Sequence, residues 1–395
     1  MPDWRLLNNI RCNILWGVPA SLLLFSALVG GGCSSDDTPG VEPGLDGVAY
    51  VVAGTAGESG NVGDGGPATE ALLYWPIDVA VLPAGELVVV DWNNHCLRRI
   101  DANGIIHLFI GSGRLGDSKT GQMLEIKFNH PTDFKIGPDG TYYVAAFHNW
   151  AVRRIDPTTG QATTPIGNSI KGFGGDGGPA NAAQFNLPGS LVFDPTGNLY
   201  ITDQGNMRIR MVNAGGTVST IAGSTFGFED GQGSNAKFGF EGDQATTGSG
   251  PRSGCIDISA DGLYLYVADT LNNRIRRIEL STGMVSTIAG TGATGNLGDN
   301  GPALAATLNG PSDVTCAANG DIYFSDRYSH VIRKINTAGT ITRVVGTGAK
   351  GVSPNGTPAL ETKLNEPLGL TFDNATNTLY IADQYNHQVL KVKNP

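Results

Sequence analysis

The stretch Asp269-Thr-Leu-Asn-Asn-Arg-Ile-Arg-Arg-Ile278 constrains this chain more than any other feature, because the chain writes it six times. The other copies open at Asp91, Ala146, Asp203, Asp326 and Asp383, so successive starts lie 55, 57, 66, 57 and 57 residues apart. A period of that length, built from short β-favouring runs, specifies a propeller or a solenoid. Within the copy that begins at Gly298, a turn-rich loop (Gly298-Asp-Asn-Gly-Pro-Ala303) precedes four β-runs at 312–317, 322–325, 331–335 and 340–346. Short turns such as Ala318-Asn-Gly-Asp321 separate them. Four antiparallel strands joined in this way make one propeller blade.

The chain ends count the blades. The last copy stops at Val389-Leu-Lys-Val-Lys393, a third strand with no fourth after it. Val48-Ala-Tyr-Val-Val-Ala-Gly54 stands ahead of the first copy and matches the fourth strands at 218–223 and 285–290. The expectation is an all-β, six-bladed propeller over 48–395, closed when the strand 48–53 joins the last blade. Closure of that kind removes an unpaired edge. The long spacing of 66 places an insertion at Phe226–Gly250, a Gly-rich segment carrying Glu229, Asp230, Glu241 and Asp243.

Three motifs recur together: Gly-Asp-Gly-Gly-Pro-Ala, Leu-Tyr-Ile/Val-Ala-Asp and Asn-His/Arg-x-Ile-Arg-Arg-Ile. In that order they resemble the NHL repeat, over essentially all of 48–395. The resemblance implies a six-bladed propeller. It implies no single function, since such propellers include protein- and RNA-binding platforms and sensor domains, and peptide-amidating enzymes contain a related lyase propeller that uses histidine-bound zinc. Net charge is −10, from 36 acidic and 26 basic residues, which argues against a nucleic-acid partner.

Residues 1–33 read as an export signal. Arg5 and Arg11 give a basic start, and Ile14–Val29 an apolar run suited to a signal rather than to a membrane span. The run ends Val29-Gly-Gly-Gly-Cys33, which resembles a bacterial lipobox, with Gly30 where that motif usually has Leu. Acylation at Cys33 would tie the protein to a membrane through lipid alone. Ser34 after the cysteine resembles the pattern sent to the outer membrane. The segment 34–47 is rich in Pro, Gly and acids and reads as a tether.

Strand order fixes which loops share a face. The loops before first strands and the turns between second and third strands end on one side, and short hairpin turns such as Pro138-Asp-Gly140 occupy the other. The loop side is therefore the expected place for a site. Asp91, Asp203, Asp269, Asp326 and Asp383 open the repeats, and repetition assigns them to structure, as acceptors for the turns that follow. The third-strand arginines (Arg98, Arg153, Arg210, Arg276 and Arg333, each followed by a second base or by Met) are expected to pair with acids of the next blade. Asp64, Asp176 and Asp299 sit in glycine-rich turns, with calcium as the lesser reading. His95, His330 and His387 occupy one equivalent turn position in three blades. These are too far apart for one zinc ion, whose bonds are only about 2 Å long.

The sharpest signal is a ring of six equivalent first-strand positions: Asp78, Asp133, Ser190, Cys255, Asp313 and Gly369. Three carboxylates at a channel mouth repel unless a cation, a proton or a donor intervenes. Asp78, Asp133 and Asp313 are thus candidate ligands for Ca2+ or Mg2+, or else caps for neighbouring strands. The expected function is a non-catalytic scaffold for a protein, peptide or glycan at the cell envelope. The alternative is a metal-assisted hydrolase or lyase, of lactonase or amidating-lyase type, at the same ring.

Overall fold

The computed structural model describes residues 45–242 and 252–395. The export signal, Cys33, most of the tether and Asp243 fall outside these residues. Six antiparallel sheets follow one another round a central channel. Blade 1 consists of Pro76–Val81, Leu87–Asp91, Cys96–Ile100 and Ile106–Ile110, running from the channel outward. The inner strands of blades 2 to 6 are Pro131–Ile136, Pro188–Phe193, Ile256–Ile258, Pro311–Cys316 and Pro367–Asp373. Among the described residues no helix is long and apolar enough to cross a membrane.

The ring closes as the chain ends require. Val48–Ala53 pairs antiparallel with Gln388–Lys393, with Ala49 opposite Val392 and Val51 opposite Leu390. Ala49, Leu390 and Val392 bury into the core of blade 6, while Ala53 and Val389 pack with Leu73, Val79 and Val89 of blade 1. The closing strand thereby joins two cores. Each buried Val or Leu contributes about 1.5–3 kcal/mol.

One module recurs in the blades and accounts for most of the repeated polar residues. In blade 3, the fully buried Arg210 lies 2.7 Å from Asp176 of the incoming loop and 3.0 Å from Asp203. Asn206 donates to Asp203 at 2.8 Å and to the Gly172 carbonyl at 2.8 Å. Arg98 with Asp64, Arg153 with Asp117, Arg276 with Asp230 and Arg333 with Asp299 repeat the ion pair. The expected pairing with the next blade is therefore corrected: each arginine binds the loop that wraps its own blade. Asp64, Asp176 and Asp299 serve as its counter-ions. The repeat-opening acids do accept from the turns that follow, and they take a second, unexpected partner. Asp91 accepts the Tyr74 N–H and Asp203 the Asn186 N–H, so each fastens the loop arriving at its own inner strand, while the turn it opens contributes only the Asn94 or Asn206 side-chain amide and no backbone N–H.

These wrapping loops follow the outer rim. In four blades they add a two-residue fifth strand, as Gly301–Pro302 does in blade 5. Blade 6 lacks the ion pair: Asn355 stands where the other blades have the loop acid, and Leu390 where they have the arginine. Phe226–Asp230 belongs to the ordinary wrapping loop of blade 4, since Asp230 is the partner of Arg276. The additional residues of this blade lie between Phe238 and Cys255, not across 226–250.

The histidine turns link blades. His95, His330 and His387 each adopt the left-handed conformation that ends the turn. Their Nδ1 atoms accept backbone N–H groups from His130, Glu366 and Trp75 of the following blade, at 3.4, 3.1 and 3.3 Å. They are half-buried connectors rather than surface groups. A glycine ends the outer strand opposite these turns (Gly54, Gly111 and Gly346, all with positive φ), because a Cβ there would strike the turn's carbonyl.

Candidate functional site

The inner strands bring the six ring positions together at the channel, and all but the glycine are buried side chains. The next inward-facing residues (Ala80, Lys135, Val192, Asp257, Thr315 and Thr371) follow by the two-residue period of a strand. Ring residues cap the neighbouring blade. Asp133 Oδ2 accepts from Leu191 N at 2.8 Å and from Ser190 Oγ at 2.9 Å. Asp313 Oδ2 accepts from Leu370 N at 2.9 Å, and Asp257 Oδ2 from Cys316 N at 2.7 Å.

Arg252 stands among the three ring carboxylates. Its Nη1 lies 3.2 Å from Asp78 Oδ1, and its Nη2 lies 3.1 Å from Asp133 Oδ2 and 3.7 Å from Asp313 Oδ2. A Ca2+ or Mg2+ ion ligated by these acids does not fit beside that guanidinium, which supplies the opposing charge itself. Among the described residues no group of three or more His, Cys, Asp or Glu could hold a metal. The expected cation ligands are thus counter-ions of a side chain that the ring positions do not include. Arg252 comes from the additional segment of blade 4. Its neighbours are anchored by Gln204, which donates to the Glu241 carbonyl at 2.6 Å and accepts from Ser253 N at 2.9 Å.

Lys135 adds a second positive charge, 2.8 Å from Asp133 Oδ1. Burial pushes Asp78 up to about 7 and Asp313 up to about 6, against the pull of Arg252. Burial would raise Asp133 too, but Lys135 and Arg252 hold it below the usual carboxylate range. Asp78 differs from its neighbours in a further respect: its carboxylate oxygens meet Arg252 as an ion pair without an aligned hydrogen bond. Burial pushes the Cys255 thiol far up, so it stays protonated.

The channel opens on the side opposite to the one expected. A cavity of about 540 Å3 is lined by all six blades, with Arg252, Asp313, Lys135 and Asp257 among its polar residues. Asp194, Pro195, Ser259, Ala260, Ala318 and Asn374, at the short hairpin turns, surround its mouth. On the loop side, the first residue of every turn is buried: Trp92, Phe147, Gln204, Thr270, Arg327 and Gln384. Arg327 is held there by Glu366 at 2.9 Å, and Tyr328 donates to Glu241 at 2.8 Å. Among the described residues, the buried side chains at these positions and the stretch beside Arg252 fill the loop end of the channel. The hairpin turns are too short to cover the other.

A family model for the teneurin NHL domain matches residues 284–394, and one for the NHL repeat matches 73–100. The segment 73–100, in blade 1, thus matches the NHL repeat, and the six-bladed all-β fold agrees with that match. The chain is 29% identical over 287 residues to the chloroplastic protein SUPPRESSOR OF QUENCHING 1 of Arabidopsis thaliana, covering 70% of this chain and 26% of that one. It is 29% identical over 334 residues to human NHL repeat-containing protein 2, covering 77% and 44%. It therefore spans less than half the length of these relatives. An auxiliary nutrient binding protein from Bacteroides thetaiotaomicron has a similar fold, with a TM-score of 0.62 at 16% identity over 87% of this chain and 75% of that one.

Proposed function

We propose that this NHL propeller is a non-catalytic binding module that takes part of a peptide or glycan into the channel from the short-turn side, while lipid on Cys33 holds it at the bacterial envelope. The observation that carries the reading is the cavity whose lining reaches the short hairpin turns. Its volume lies in the range of small-ligand pockets, about 300–1,000 Å3. Its polar residues present both signs of charge, Lys135 and Arg252 beside Asp257 and Asp313, within apolar walls that include Phe134, Phe193 and Phe372. Such a set suits a ligand with both donors and acceptors, such as a peptide end or a sugar. The other reading, a metal-assisted hydrolase or lyase, needs a cation where the Arg252 guanidinium lies.

The test is calorimetry of the purified protein against mixed tripeptides and a set of neutral and acidic oligosaccharides. Binding that weakens at least tenfold in Lys135→Ala and Asp257→Ala supports the cavity as the site. Binding unchanged in both variants places the ligand elsewhere. Lactone or peptide turnover with stoichiometric metal would favour the enzyme reading. Cys33→Ser should move the protein out of the membrane fraction, and unchanged fractionation removes the anchor from the proposal.

A further inference from the structure

The repeat itself separates structural residues from unusual ones. His95, His330 and His387 serve one inter-blade contact at equivalent positions, and so have a structural account. His130 and His148 do not. Where blade 2 has His130, blades 1, 3, 5 and 6 carry Trp75, Leu187, Gly310 and Glu366; where it has His148, the other five carry Asn93, Gly205, Leu271, Tyr328 and Tyr385. The two histidines meet only in blade 2, on the loop side, away from the cavity. There the His130 Nδ1 lies 3.0 Å from the His148 Nδ1 and 2.8 Å from the Asn129 Oδ1.

We propose that His130 Nδ1, His148 Nδ1 and the Asn129 side-chain oxygen form a coordination site for a divalent transition metal of tetragonal preference, with Cu2+ the best fit. The spacing makes the choice. Two donors at right angles on bonds of about 2.0–2.1 Å stand about 2.9 Å apart, whereas tetrahedral zinc with the same bonds separates them by about 3.3 Å. Two imidazoles and an amide oxygen leave further positions to solvent. Among nitrogen-rich sites of this kind, Cu2+ is bound most strongly of the first-row divalent ions.

The surroundings prepare the site. His148 N donates to the Asn129 carbonyl at 3.1 Å, Asn129 N to Asn149 Oδ1 at 2.8 Å and His130 N to His95 Nδ1 at 3.4 Å, so hydrogen bonds hold the backbone of all three ligating residues. The His130 ring packs against Trp92, with centroids 4.4 Å apart, and the His148 ring against Phe147 at 4.9 Å. His130 Nε2 lies 3.2 Å from Asn93 Oδ1. A neutral imidazole carries one proton, yet His130 faces an amide oxygen at each nitrogen. A metal on Nδ1 resolves this: the proton stays on Nε2 and is donated to Asn93, the outer-shell arrangement that metal-bound histidines usually show.

The experiment is a titration of the purified full-length protein with CuCl2, followed by calorimetry and electron paramagnetic resonance. The expected result is one tight equivalent, with a tetragonal spectrum showing coupling to two imidazole nitrogens. His148→Gln and His130→Gln should each weaken binding at least tenfold. His387→Gln, at a connector position elsewhere, should leave it unchanged. Circular dichroism melts of the variants confirm that they fold. Should His148→Gln melt like the wild type and bind Cu2+ equally well, or should the spectrum show fewer than two nitrogens, the site is not the one proposed. Zn2+ displacing Cu2+ at equal concentration would overturn the tetragonal assignment.

Discussion

Arg252 and Asp133 lie 119 residues apart in the chain, yet the Arg252 Nη2 stands 3.1 Å from the Asp133 Oδ2 at the centre of the propeller. The guanidinium also reaches Asp78 and Asp313, so one side chain from a single blade bridges acids from three others. Removing one member of a buried ion network strands the remaining charges and costs about 3–5 kcal/mol. Arg252→Gln should therefore lower the melting temperature markedly. It should also create a calcium response that the wild type lacks, because Asp78 and Asp313 then lose their cation while Lys135 still pairs with Asp133. Thermal melts of both proteins with and without millimolar CaCl2 check this. A wild type stabilised as much as the variant would contradict it.

Blade 6 supplies a natural control for the wrapping ion pair. With Asn355 and Leu390, it dispenses with both charges. Arg333→Leu in blade 5 leaves the buried Asp326 without its cation, and Asp299 with Arg343 alone at 3.3 Å, and should cost about 3–5 kcal/mol. Adding Asp299→Asn copies the blade 6 pair and should restore some of that loss. The double-mutant cycle, measured by denaturant unfolding, should give a coupling of at least 1 kcal/mol, within the range of about 0.5–3 kcal/mol for interacting sites. Strict additivity would mean that the two charges act independently.

Deletion of residues 48–53 should leave the strand Gln388–Lys393 with an open edge. The expected outcome is a large drop in melting temperature together with self-association, read by light scattering. A truncated chain that melts like the parent and stays monomeric would show that blade 6 needs no fourth strand.

Buried carboxylates set the pH dependence. Burial pushes Asp383 up to about 7, and the Asn365 and Asn386 donors oppose this only incompletely. Asp78 likewise rises to about 7, and Asp203 and Asp326 to about 6. A carboxyl with a raised value holds its proton more tightly folded than unfolded. Its contribution is complete below the ordinary value near 3.8 and is lost as pH rises through 6 to 7. Unfolding free energy should therefore fall from pH 5 to pH 8. Asp383→Asn should make that fall shallower, whatever its absolute stability. A curve that climbs over this window would reverse the sign.

Much of the architecture was legible in the sequence, because each blade solves the same packing problem and so repeats the same residues. The closing strand was legible because a missing strand at one end matched a surplus strand at the other. The six ring positions followed from alternation along the inner strands. Arg252 was not legible. It sits in the one segment that breaks the period, and alignment of repeats discards what has no counterpart. The open side of the channel was hidden for a related reason: Trp92, Phe147 and Arg327 look like ordinary turn residues, and only their convergence fills the loop end of the channel. His130 and His148 escaped because they match no repeat motif, and sequence distance gives no hint that their nitrogens meet. The carboxylates that do repeat, Asp91 through Asp383, read as structural, but repetition alone misplaces their partners because the wrapping loops come from earlier in the chain.

The pairing of Val48–Ala53 with Gln388–Lys393 also has a mechanical meaning. Gly47 N donates to the Lys393 carbonyl at 2.8 Å, so chain ahead of Gly47 leaves from the far end of that strand pair. Tension applied there, against a load on the body of the propeller, runs along the strand axis. The rungs between the two strands then share the force in shear, whereas a zipper would release them in succession. The seam that completes the ring is thus also the joint through which a pull on the leading chain would pass.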